Sequence, residues 1–156
     1  MRNLMICKIA ACALTGIGLI VSQGAFAMEI RHLNSGLILP TNLPFSEAVR
    51  VGNTIYLSGQ IGNKPGTLDL VAGGITAETR QVMENIKTTL EAHNLTLDNV
   101  VKCTVMLENM ADWPAFNKVY ATFFKPGRYP ARSAFGSSGL ALGAKAEVEC
   151  VAVAGD

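Results

Sequence analysis

Ala146-Glu147-Val148-Glu149-Cys150-Val151-Ala152-Val153 runs to within three residues of the end of the chain with a two-residue period. Successive side chains of a strand point to opposite faces, so Val148, Cys150 and Ala152 share one face and Glu147, Glu149, Val151 and Val153 the other. The first set suits a core covered by helices. The second begins with two carboxylates and ends apolar, a face that can meet a neighbouring subunit. One strand with two buried interests predicts a sheet with helices on one side and a partner chain on the other.

Working back along the chain, the Gly-rich stretch Gly136–Gly143 joins this strand to a shorter one at Ser133–Phe135. It lacks the Lys-Ser/Thr ending of a phosphate loop and does not lie between a strand and a helix, so it is read as a connector. Before it, Asp112 is placed to cap a helix that tolerates Pro114 in its first turn and stops at Pro126-Gly127. Trp113, Phe116, Tyr120 and Phe123 recur at helical spacing and are read as that helix's core face. Val100–Leu107 is a strand with Val101, Cys103, Val105 and Leu107 on one face. A longer helix is predicted over 76–93, its apolar stripe made by Thr79, Val82, Ile86 and Leu90. Glu78, Arg80, Glu84, Lys87 and Glu91 are assigned to its solvated side. Earlier still, Ala48-Val49-Arg50-Val51 and Thr54-Ile55-Tyr56-Leu57-Ser58 flank Gly52-Asn53, the signature of a β-hairpin. The order ββαβαββ predicts an α+β domain with both helices on one face of the sheet.

Residues 1–27 are read apart from this fold. Arg2 and Lys8 precede an apolar, uncharged centre, and Ala25-Phe26-Ala27 is an A-x-A cleavage site, the pattern of a secretory signal peptide. The apolar centre is short for a membrane span. The expected mature chain is a single domain, residues 28–156, periplasmic or secreted and without a membrane anchor once the leader is cleaved. Two of the 13 basic residues leave with the leader, so 11 remain against 12 acidic ones. No basic stripe interleaves with aromatics, and nucleic-acid binding is not expected. Cys7 and Cys12 also belong to the leader. Cys103 and Cys150 are expected as two buried, reduced thiols, although an oxidising compartment permits a disulfide. His32 and His93 are the only histidines, and no Cys/His cluster has metal-ligand spacing.

Six fragments occur in a fixed order: Ser58-Gly59-Gln60-Ile61, Ala77-Glu78-Thr79-Arg80-Gln81, Asn85-Ile86-Lys87, Val100-Val101-Lys102, Asn117-Lys118-Val119-Tyr120 and Pro130-Ala131-Arg132-Ser133. Together they resemble the signature of the RidA/YjgF family of enamine/imine deaminases, over about Pro44 to Val153. The resemblance implies a chorismate-mutase-like fold with a mixed sheet, assembled as a homotrimer with sites between subunits. It also implies a cofactor-free hydrolysis of 2-imino acids to 2-oxo acids.

For that chemistry the residues divide into roles. Arg132 is implied as the carboxylate clamp, since a guanidinium meets a planar carboxylate with two parallel hydrogen bonds. Glu147 is implied to hold the attacking water and move its proton. Ser58 and Gly59 offer backbone groups to the imine nitrogen or the water, and Asn117 matches a position near the site. Phe45 stands where the family often has Tyr, keeping a ring wall without its hydroxyl. Ala134 stands where Cys is frequent. Both departures make the pocket more apolar. The alternatives from other classes are a trimeric binding protein for small carboxylates and a chaperone-like interaction module on the same scaffold.

Overall fold

A computed structural model describes residues 29–155; the expected leader lies outside the described residues. The elements are β1 (Ile30–Leu33), β2 (Ala48–Val51), β3 (Thr54–Leu57), β4 (Gln60–Ile61), α1 (Gly74–Ala92), β5 (Val100–Leu107), α2 (Trp113–Tyr120), β6 (Ala131–Gly136) and β7 (Ala146–Val153). They form one mixed sheet in the order β1-β2-β3-β7-β5-β6, with β4 also paired to β7. Only β5 and β6 run parallel, joined through α2; the other pairings are antiparallel. The expected α+β domain is therefore present, with β1 and β4 added to the strands read from the sequence.

The local chemistry accounts for the main elements. Val51 pairs with Thr54 across Gly52-Asn53, and the positive φ of 58° falls on Gly52, as a tight hairpin turn requires. Val82, Met83, Ile86 and Leu90 of α1 and Phe116 and Tyr120 of α2 are buried against Ile55, Leu57, Val105, Val148 and Ala152 of the sheet. In β7, Ala146, Val148, Cys150 and Ala152 are buried while Glu149 and Val153 are exposed, which is the predicted alternation.

Four expectations are corrected. Cys103 and Cys150 are not free thiols: they face each other on β5 and β7 and form a disulfide, with α-carbons 4.1 Å apart. Directly opposed residues of an antiparallel pair come this close, so register alone brings the sulfurs together. The link closes a sequence separation of 47 residues, a constraint on the unfolded chain that typically contributes about 2–4 kcal/mol. Val101 is exposed while Val100 is buried, because a register irregularity between Val100 and Lys102 resets the alternation of β5. Glu78 is only 5% exposed and accepts a hydrogen bond from the Lys145 backbone N–H at 2.7 Å, so it ties α1 to the head of β7 instead of facing solvent. Asp112 makes no side-chain cap; Asn109 does, accepting from the Ala111 N–H at 3.0 Å at the start of the 3-10 turn that leads into α2.

Candidate active site

Arg132 lies on β6, opposite Cys103 of β5. Cys103 points into the core, so Arg132 points to the same, helical side, at the open edge of the sheet beside α2. There its guanidinium carbon stands 4.6 Å from the ring centroid of Trp113 and 4.6 Å from that of Tyr120. Its Nη2 donates to Asn117 Oδ1 at 2.8 Å. Trp113, Asn117 and Tyr120 are four and three residues apart, so α2 presents all three along one face. Burial pushes the Tyr120 phenol up to about 12, with the charge of Arg132 offsetting part of the effect, so this ring stays neutral at any physiological pH. A cavity of about 420 Å³ opens beside the guanidinium, lined by Asn117, Tyr120, Ala121, Tyr129, Pro130 and Arg132. Ala134, two residues along β6, is half-buried and packs toward the core.

Glu147 belongs to a different neighbourhood. On β7 it lies between Ile61 of β4 and Met106 of β5. Its carboxylate rests against Gly59: a β-carbon on Gly59 would stand 2.0 Å from Glu147 Oε1. Any side chain at position 59 would therefore push the Glu147 carboxylate from this place. Burial, and then the charge of Glu149 two residues along the same face, holds the Glu147 carboxyl above the usual carboxylate range.

The surrounding chain is pinned from several directions. Asn85, fully buried on α1, donates from Nδ2 to the carbonyls of Ile61 at 3.1 Å and Asn63 at 3.0 Å, fixing β4 beside Glu147. Ser58 donates its N–H to Glu47 O at 3.0 Å and its hydroxyl to Ser46 O at 2.7 Å. Its side chain is thus committed to the segment that carries Phe45, whose ring is 48% exposed. Buried Glu47 anchors that segment, accepting from Ser35 N at 2.6 Å, Ser35 Oγ at 2.9 Å and Thr89 Oγ1 at 2.8 Å.

The predicted residues thus gather in two groups, Arg132 with Asn117 and Glu147 with Gly59, while Ser58 adjoins Gly59 and ties it to the segment that carries Phe45. Within one chain the groups do not meet. Their β5 partners, Cys103 and Met106, are three residues apart and project to opposite faces. The offset along the strand is itself roughly 10 Å. The sequence reading missed Trp113 and Tyr120 as neighbours of Arg132, having assigned them to the core. Phe116 does serve the core alone, and Tyr120 serves both. The i, i+4, i+7 spacing of ring, amide and ring was the available signal. Tyr129, 53% exposed at the cavity, is another lining residue that the sequence analysis did not single out.

A family profile described as Endoribonuclease L-PSP matches residues 38–154. The 2-iminobutanoate/2-iminopropanoate deaminase of Mus musculus is 42% identical over 112 residues, covering 72% of this chain and 82% of that protein. The crystal structure of RidA from the Antarctic bacterium Psychrobacter sp. superposes with a TM-score of 0.74 at 35% identity, covering 80% of this chain and 99% of that one. The YjgF gene product of E. coli gives a TM-score of 0.73 at 31% identity, over 79% of this chain and 98% of that one.

Proposed function

The chain belongs to the RidA/YjgF family, also described as Endoribonuclease L-PSP, and from that premise we propose that it hydrolyses 2-imino acids to 2-oxo acids and ammonia in clefts between subunits of a homotrimer. The observation that carries this reading is the lone guanidinium of Arg132, fixed by two rings and an amide with its edge at a cavity. Such a group binds a planar carboxylate. The mammalian relatives named as deaminases at 41–42% identity support the choice of an imino acid as the molecule that bears it.

In the proposed reaction Arg132 takes the substrate carboxylate in a two-pronged hydrogen bond. A Glu147 from the adjacent subunit takes a proton from water as its oxygen bonds to the imine carbon. That proton passes to nitrogen, giving a tetrahedral carbinolamine; Glu147 then takes the hydroxyl proton and delivers it to nitrogen as the carbon–nitrogen bond breaks, and ammonia leaves with the 2-oxo acid formed. A carboxyl raised above its ordinary range is a better acid–base shuttle near neutral pH than a solvated one. Enamines enter after tautomerising to the imine. No cofactor has a place in this scheme, because the imine carbon is already electrophilic. The opposite-face placement of Arg132 and Glu147 supports a shared site, since only a second chain can bring a Glu147 to an Arg132. The balance of 11 basic against 12 acidic residues in 28–156 argues against RNA, whose phosphates demand clustered Lys and Arg.

Generating an imino acid in place with an amino-acid oxidase and trapping it with semicarbazide tests the reaction. The protein should suppress trapping and speed release of the 2-oxo acid. If it binds 2-oxobutanoate yet leaves the decay of every imine unchanged, it is a carboxylate-binding protein and the enzymatic reading is wrong. Export belongs to the same proposal. The Cys103–Cys150 disulfide supports it, because such bonds persist in oxidising compartments. The exported protein should begin at Met28 and show no titratable thiol until it is reduced.

A further inference from the structure

Arg132 is held by two aromatic rings. Trp113 and Tyr120 are seven residues apart on α2, roughly 10 Å along its axis at 1.5 Å per residue. Each ring centroid is nevertheless 4.6 Å from the same guanidinium carbon. The guanidinium therefore contacts both rings at once. Its hydrogen bonds leave through the edge. Asn117 takes one of them, and the cavity receives what remains.

The two rings are held differently. Tyr120 is a fully buried member of the core. Trp113 is half-buried, and the Phe116 ring stacks behind it at 5.9 Å, nearly parallel at 13°. Trp113 thus packs on Phe116 and still meets the guanidinium.

We propose that Trp113 is a positioning residue for carboxylate capture: it fixes the plane in which Arg132 meets its ligand, so that a planar acid is bound edge-on. The proposal rests on the carboxylate-binding role given to Arg132 above. An arginine carries many rotamers, and ordering them at the moment of binding costs free energy. Contact with two rings orders them beforehand. That gain is the same for substrate and transition state, so it belongs to KM and not to kcat.

Two variants and one spectroscopic measurement test this. In Trp113→Leu, KM for an imino acid and Kd for 2-oxobutanoate, the latter by calorimetry, should both rise about tenfold, with kcat within about twofold of wild type. Trp113→Phe should restore most of the affinity, because it restores a ring. Melting temperature and light scattering report whether each variant keeps its fold and assembly. Trp113 is the sole tryptophan of the chain, so in the unmodified protein its emission should change when 2-oxobutanoate binds. That measurement needs no variant and decides the matter even if Trp113→Leu fails to fold. The proposal is overturned if 2-oxobutanoate binds without altering the emission, if Trp113→Leu keeps wild-type KM and Kd, or if Trp113→Phe is as impaired as Trp113→Leu. A wild-type protein that binds no carboxylate at all would instead remove the role of Arg132 on which the proposal stands.

Discussion

The Arg132 group and the Glu147 group are built in different ways. The Arg132 group is local. One face of α2 supplies both rings and the amide, and the parallel neighbour β6 supplies the guanidinium. The Glu147 group is assembled from distant parts of the chain: Asn85 fixes β4, Glu78 fixes the head of β7, and Glu47 fixes the segment carrying Phe45. A cation that binds a ligand needs a fixed plane, which aromatic faces provide. A carboxylate that moves protons needs a fixed position and an adjustable charge, which close backbone and a nearby acid provide. The first group reads as a binding surface and the second as a reactive one.

The comparison breaks most visibly if the two groups belong to one site. Arg132→Ala should lower kcat/KM by about 10²–10³-fold, the usual cost of removing one member of a desolvated charged pair, and Arg132→Lys should recover little of it, because a point charge lacks the fork. Glu147→Gln should slow turnover by about 10²–10⁴-fold while the 2-oxo acid still binds. The sharper experiment mixes the two dead variants. If each site joins Arg132 of one copy to Glu147 of the next, refolding Arg132→Ala with Glu147→Gln restores about a quarter of the sites by random assembly. A mixture no more active than its parents would place both residues in one chain's site and end the shared-cleft reading.

How each group showed in the sequence follows from how it is built. The β7 alternation was legible because period two is a local property, and it located both Glu147 and the core face correctly. The hairpin at Gly52-Asn53 and the strand Val100–Leu107 were legible for similar reasons, from turn chemistry and from a continuous β-run. Val101 escaped because a register irregularity cannot be seen in a hydrophobic pattern. The disulfide escaped because it depends on cross-strand register: Cys103 and Cys150 reveal themselves as partners only when β5 and β7 are aligned. Glu78 was assigned to solvent by its charge, yet its carboxylate is occupied by a backbone N–H from 67 residues away. Trp113 and Tyr120 escaped for the opposite reason. Their spacing fits a core face so well that a second use was hidden, and only the position of Arg132 on β6 discloses it.

The smallest expected effect tests the tuning of the reactive group. Glu149 shares a strand face with Glu147 and adds to the burial that raises its carboxyl. Glu147 must be ionised to accept a proton from water, so kcat/KM should rise with pH through the Glu147 pKa, and this acidic limb reports the free protein. In Glu149→Gln the like charge is gone, ionisation of Glu147 becomes easier, and the limb should move to lower pH. At pH well above that limb, where Glu147 is ionised in both proteins, the rate should change by less than about twofold. Added salt separates this cause from burial. It screens exposed charges such as that of Glu149, so in wild type it should also carry the limb downward, and in Glu149→Gln it should do much less. A limb that ignores both the substitution and the salt would leave burial as the sole source of the elevation, and the Glu147 group would then be set by its glycine-lined cleft alone.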